Sequence, residues 1–373
     1  MKLTLLGGGG FRVPLMFRTL LADQSDRRVT ELRLWDTDAG HLAVIRSILQ
    51  AMAQGHPRAP EVRVAQSLEE AVAGTDFVFS AIRVGGTEGR ATEETIARCC
   101  GVLGQETTGF GGLDYALRGI PTAVRIAETI ARLAPGAHLI NFTNPAGIIT
   151  EVSSRILGDR VIGICDSPVG LARRVLDTLE GAGLVATGTA SRVIAGDDRV
   201  RLDYVGLNHL GWLQRLLVDG DDVLPLLLER PDLIESFEEG RLFGAGWLRQ
   251  LGSVPTEYLH YYYFARETRR ADEAVEATRG VFLAAQQRDF YARAAALPGP
   301  EAYALWEATR LRREETYMAS NRLAAGGVER DAADLASGGY DRVALAVMKA
   351  IAFDETTDLI VNLRNGDRLP QLP

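Results

Sequence analysis

The chain has 373 residues, long enough for two lobes, because a single core rarely grows past about 250–300 residues. Apolar residues make up 46% and charged residues 24%, the balance of a globular enzyme, which excludes a disordered or fibrous chain. With 41 Lys and Arg against 49 Asp and Glu, the formal net charge is −8, which disfavours nucleic acid and anionic membrane and leaves a small molecule as the expected partner.

Residues 1–6 are β-prone, 7–10 form a turn and 13–21 have helical spacing, the order strand, glycine turn, helix. No leader precedes that strand and no run of roughly 18 apolar residues follows it, so a cytoplasmic protein without a membrane span is expected. Residues 31–34 give a second strand ending at Trp35 and Asp36, and a helix follows over 41–54. Further strands are predicted at 62–65, 77–82, 138–142 and 161–165, with helical patterns between them. This alternation predicts a doubly wound, mostly parallel α/β sheet of Rossmann type over residues 1–168. The pattern then changes to a helix at 169–180, a small strand group near 191–205 and helical stretches to about 355, including 273–296 and 340–352. Residues 169–373 are therefore expected to form a second, largely helical α+β domain, with 181–198 as a Gly-, Ala- and Thr-rich hairpin or insertion.

Gly7, Gly9 and Gly10, with Phe11 and Arg12 leading into the first helix, are the candidate cofactor-binding turn. Glycines there let the backbone approach a pyrophosphate, which the helix N-terminus attracts. The fingerprint is imperfect, because Arg12 stands at its third position. Asp36 lies where an acidic ribose ligand is expected and favours NAD over NADP; a turn-capping aspartate is the alternative. In IRVGGTEGR, Arg83 and Arg90 offer guanidinium forks for a phosphate, or are ordinary surface arginines. In NFTNPAG, Asn144 and its neighbours suit a hydroxylated ligand or an Asx-type turn.

Three cysteines, Cys99, Cys100 and Cys165, are too few and too awkwardly spaced for a disulfide framework, which agrees with a reducing compartment. Cys165 and Asp166 end a strand at the edge where such sheets place their ligands. With Asn208 and His209 of GLNHLGW, they raise the possibility of a thiolate and an imidazole on one borderline divalent metal. A buried thiol and a hydrogen-bonded core histidine are the plainer alternatives. Tyr258, Tyr261, Tyr262 and Tyr263 in TEYLHYYYF are an aromatic packing cluster unless a cation lowers one of them into use as a base.

Taken together, GGGGFRVP, IRVGGTEGR, GVLGQETTGFGG, ALRGIP, INFTNPAG, CDSP, GLNHLGW and PTEYLHYYY, in this order over roughly residues 1–365, resemble family four of the glycoside hydrolases. These are the NAD- and metal-dependent phospho-glycosidases, an exception to two-carboxylate chemistry, and the chain looks most like the 6-phospho-β-glucosidases among them. The resemblance implies a lactate or malate dehydrogenase-like cofactor domain, a helical second domain, and a homodimer or homotetramer. It implies Cys165 and His209 as ligands of a divalent metal, usually manganese (Mn2+), Asp166 as an acid, and Tyr258 as the base, with Tyr262 as the fallback. Arg90 and Asn144 match positions that contact the sugar and its phosphate; Arg83 and Asn208 are further candidates for a phosphorylated glycoside.

The implied chemistry is oxidation at sugar C3 by NAD, removal of the acidified C2 proton by Tyr258, elimination of the C1 substituent, water addition and hydride return. Family members commonly run on for some tens of residues past the equivalent of NLRNGDRLPQLP, and the stretch between Cys165 and His209 is longer here than the family leads one to expect. Two other readings stay open: a net NAD-dependent dehydrogenase of a hydroxy acid or sugar, and a non-catalytic sensor of a sugar phosphate or dinucleotide. No histidine stands in a plausible dehydrogenase base position near residues 166–180, which speaks against the first.

Overall fold

The computed structural model describes residues 1–195, 197, 199–330 and 339–366. The chain divides into two compact units. The first comprises Met1–Ile164, the later segment Ala277–Arg313 and a C-terminal return beginning at Asn362. The second comprises Cys165–Glu276 and Glu314–Val361.

The first unit holds six parallel strands: β1 (Lys2–Leu6), β2 (Glu31–Trp35), β3 (Glu61–Val64), β4 (Phe77–Ser80), β5 (His138–Asn141) and β6 (Val161–Gly163). Their order, β3-β2-β1-β4-β5-β6, is that of a Rossmann sheet, the fold class expected from the alternation. The last four strands end one or two residues before the predicted runs, whereas the first ends at Leu6 as expected and the second runs one residue further, to Trp35. Leu3, Leu5 and Leu6 of β1 are 0–1% exposed, as a strand covered on both faces requires. Thr4, equally buried, donates its hydroxyl to the Ala71 carbonyl at 2.6 Å, so its polar group is satisfied.

The crossover helices are α1 (Val13–Ala22), α2 (Ala39–Ala53), α3 (Leu68–Val72), α4 (Gly86–Cys99), α5 (Gly109–Leu133) and α6 (Ala146–Leu157). Leu6 and Val78 from the sheet cluster with Val72, Ile126, Ile130 and Leu157 from α3, α5 and α6. At the far edge, Asn362 pairs antiparallel with Gly163 through bonds of 2.9 and 2.7 Å. Two further helices, Arg279–Ala294 and most of Gly299–Glu315, also belong to this unit.

In the second unit, α7 (Ser167–Gly181) leads into α8 (Thr189–Ala195). The strand group expected near 191–205 is corrected here: 191–195 are helical, and the strand starts at Val200. Gly196 and Asp198, within the stretch read as a hairpin or insertion, lie outside the described residues, as do 331–338. β7 (Val200–Leu207) and β8 (Leu210–Val218) form an antiparallel hairpin, joined on β8 by β9 (Asp221–Asp222) and β10 (Val254–Pro255). The single helix expected over 273–296 is two, Ala265–Ala274 and Arg279–Ala294. Val275 leaves helical geometry, and Thr278 starts the new helix by accepting the Val281 N–H. Among the described residues no helix is long and apolar enough to cross a membrane.

Candidate active site

Five of the parallel strands lead into candidate residues, at the sheet edge where the doubly wound fold places ligands. After β1, Gly7 adopts φ +84°, and a Cβ there would stand 2.7 Å from the Ala81 carbonyl oxygen at the exit of β4. Only glycine suits both constraints. The Gly7 and Gly8 N–H groups donate to the Trp35 carbonyl at 3.0 and 2.9 Å, tying the turn to the end of β2. Asp36, next along β2, accepts the Gly9 N–H at 2.8 Å and the Asp38 N–H at 3.1 Å. These are turn-holding bonds, and a carboxylate with about four lone-pair sites retains acceptor capacity for a ribose hydroxyl. Phe11 and Arg12 lead from the turn into α1, with Arg12 at its N-cap.

After β4, Arg83 and Arg90 converge on Glu106. Arg83 contacts this carboxylate through Nη2 and lies 4.6 Å over the Tyr115 ring. Arg90, 7% exposed, reaches Glu106 at 2.8 Å and Glu94 at 2.7 Å. Burial alone raises the Glu106 carboxyl, but Arg83, Arg90 and Arg313 outweigh it and hold it well below the usual range. The pair is thus neither loose on the surface nor wholly spent: among the described residues, Nη1 of Arg83 is buried without a hydrogen-bond partner. After β5, Asn141 and Thr143 bond among themselves and to Ser80. Asn144, half-buried, follows Thr143 just ahead of α6.

Within the second unit, Cys165 and Asp166 precede α7, and Asn208 and His209 form the two-residue connection of the β7–β8 hairpin, where Leu207 pairs with Leu210. Backbone bonds fix that tip. Tyr204 donates its hydroxyl to the Asn208 carbonyl at 2.7 Å, and Thr256 donates to the His209 carbonyl at 2.6 Å. So held, His209 Nε2 lies 2.9 Å from Cys165 Sγ, both side chains buried. Burial, reinforced by Asp166, pushes the thiol well above its ordinary 9.0, against a hydrogen bond from the Ser167 N–H. Coordination to a divalent cation deprotonates such a thiol. Asn208 Nδ2 lies 3.4 Å from His209 Nδ1, and among the described residues its Oδ1 is buried without a partner. Among the described residues no group of three or more His, Cys, Asp and Glu is placed to hold a metal. The thiol and the imidazole fit a borderline cation with positions left for substrate oxygens.

Tyr258, 7% exposed, sets its ring 4.6 Å from the His209 ring, whereas Tyr262 and Tyr263 are 53% and 42% exposed. Two partners of this region were not singled out from sequence. Tyr317 hydrogen-bonds Tyr258 and also donates to Glu257 Oε1 at 3.3 Å. Glu257 accepts the Ser167 hydroxyl at 3.0 Å on the same oxygen. Burial, then Glu239 and Glu238, push its carboxyl up to about 7, with Arg174 pulling the other way. Glu257 adjoins Tyr258 in PTEYLHYYY and Glu106 sits in GVLGQETTGFGG, so a buried carboxylate inside each matched motif was the available signal.

Residues 2–180 match the model of the family 4 glycosyl hydrolases, and residues 204–373 match the model of that family's C-terminal domain. A probable 6-phospho-beta-glucosidase of Bacillus subtilis is 30% identical over 288 residues, covering 75% of this chain and 62% of that protein. A 6-phospho-alpha-glucosidase 1 of Lacticaseibacillus paracasei is 33% identical over 227 residues, covering 59% of this chain and 48% of that one. The chain thus spans about three-fifths or less of these relatives' length. The solved structure of a 6-phospho-beta glucosidase from Thermotoga maritima, described with manganese, NAD+ and glucose-6-phosphate, is similar with a TM-score of 0.67 and 26% identity, covering 84% of this chain and 72% of that one.

Proposed function

This chain belongs to family 4 of the glycosyl hydrolases, and from that membership we propose that it hydrolyses 6-phospho-β-glucosides with NAD and a divalent metal, manganese, as cofactors. The observation that carries the reading is the buried Cys165–His209 contact of 2.9 Å with the Tyr258 ring against the imidazole. Cys165 and His209 would hold the metal; Gly7, Gly9, Gly10, Phe11 and Arg12 with Asp36 would hold NAD. When bound, NAD supplies a hydride acceptor for sugar C3 and the metal supplies a Lewis acid to the C2 and C3 oxygens.

The chain's own residues do the rest. Tyr258 removes the proton from C2, and Asp166 gives a proton to the oxygen leaving C1. Asn144 and Asn208 bind sugar hydroxyls through their side-chain amides, and Arg83 and Arg90 take the phosphate. A cytoplasmic homodimer or homotetramer is part of the same proposal.

The test is turnover of p-nitrophenyl 6-phospho-β-glucoside with NAD, manganese and a reductant, in deuterated water, scoring label at C2. No release of nitrophenol, with α-linked and unphosphorylated glycosides also inert, would remove the hydrolase reading. Steady accumulation of NADH would favour the dehydrogenase. A 6-phospho-α-glucoside is the second substrate reading, favoured by the 33% identity to the Lacticaseibacillus enzyme.

A further inference from the structure

The glycine turn is braced by chain that lies far beyond it in sequence. Tyr291, on helix Arg279–Ala294, donates its hydroxyl to the Gly9 carbonyl at 2.6 Å. Trp306, on helix Gly299–Glu315, donates its indole N–H to the Phe11 carbonyl at 2.7 Å. Both donors are buried, at 6% and 0% exposure, so neither carbonyl has water as a ready substitute. Burial pushes the Tyr291 phenol up, so it stays a donor. Its ring is fixed by stacking on His41 of α2, centroids 3.6 Å apart. The Phe11 ring lies edge-on to Phe290 at 5.1 Å, with the Arg313 guanidinium 5.6 Å above it.

A peptide unit is planar and trans, so its N–H points opposite to its carbonyl. Holding the Gly9 carbonyl fixes the plane that contains the Gly10 N–H, which donates to the Gly7 carbonyl at 2.9 Å and closes the turn. Holding the Phe11 carbonyl on Trp306 points the Arg12 N–H, at the N-terminus of α1, the opposite way. These two planes are the ones a pyrophosphate must find already oriented, because ordering them on binding would weaken affinity.

We propose that Tyr291 and Trp306 are positioning residues of the dinucleotide site: their hydrogen bonds to Gly9 and Phe11 orient the peptide units of the glycine turn. The proposal rests on the NAD reading above and adds that affinity for the dinucleotide is set partly from Ala277–Arg313. A plain turn-and-helix site would need no such segment.

The experiment titrates NAD, without sugar, into the full chain and into Tyr291→Phe and Trp306→Phe, well below each thermal midpoint, and titrates manganese in parallel. Tyr291→Phe keeps the stacked ring and removes one donor. The expected result is NAD binding weakened about three- to tenfold in each variant, with manganese affinity unchanged. Should Trp306→Phe not fold, Tyr291→Phe carries the same comparison. NAD affinity within twofold of the parent in Tyr291→Phe would overturn the proposal, even if the midpoint falls, because the bond would then be structural only. Failure of the parent chain itself to bind NAD would instead sink the cofactor reading, and this proposal with it.

Discussion

Replacing Glu257 by Gln tests the electrostatics around the candidate base directly. Glu257 is 5% exposed, and its carboxyl is pushed from 4.5 to about 7 by burial and by Glu239. A carboxyl with a raised folded pKa takes up protons more readily folded than unfolded. It therefore favours the fold at low pH, and that advantage is lost as pH rises from 4.5 through about 7. At about 1.4 kcal/mol per tenfold change in proton affinity, the loss amounts to about 3 kcal/mol. Gln keeps an oxygen for Ser167 and Tyr317 but cannot ionise. Relative to the parent, Glu257→Gln should gain stability progressively between pH 5 and pH 8, where about 1 kcal/mol moves the midpoint of a unit of this size by roughly 2–4 °C. Thermal denaturation of both proteins at half-unit pH steps measures this. Curves for parent and variant that stay parallel from pH 5 to pH 8 would refute the reasoning, and a variant less stable at pH 8 would reverse its sign.

Gly7→Ala places a Cβ against the Ala81 carbonyl in a backbone of φ +84°; a loss of about 1–3 kcal/mol is expected, with NAD binding weakened, as denaturant melts and titration will show. Cys165→Ser removes the soft donor while leaving a small polar group, so manganese affinity by equilibrium dialysis should fall about tenfold or more. NAD affinity should not change in that variant, and a parallel loss of both would count against separate roles for the two sets of residues.

The sheet was legible because each strand carries its own apolar run and each crossover its own helical spacing, both local signals. Its strand order, set by pairings between strands far apart in sequence, carried no such local signal. The β7–β8 hairpin was not legible: Gly206 breaks the alternation of β7, and an Asn-His connection lacks the glycine that marks most two-residue turns. Cys165 and His209 were legible as residue types suited to one metal, and the hairpin explains how they meet, since its two tip carbonyls are tied down by Tyr204 and Thr256. Glu106, Glu257, Tyr291 and Trp306 escaped sequence reasoning for a common reason. Each acts through a partner that only the folded chain brings near, as with Tyr291 and Gly9, 282 positions apart.

The bridge from Asn362 to Gly163 spans 199 positions and has a consequence for synthesis. Strand β6 is an outer strand of its sheet, so until the ribosome has delivered Asn362 its free side offers unpaired amides to any neighbouring chain. Products released early keep that exposed rim two residues ahead of Cys165, and should self-associate during expression more readily than chains that have closed it.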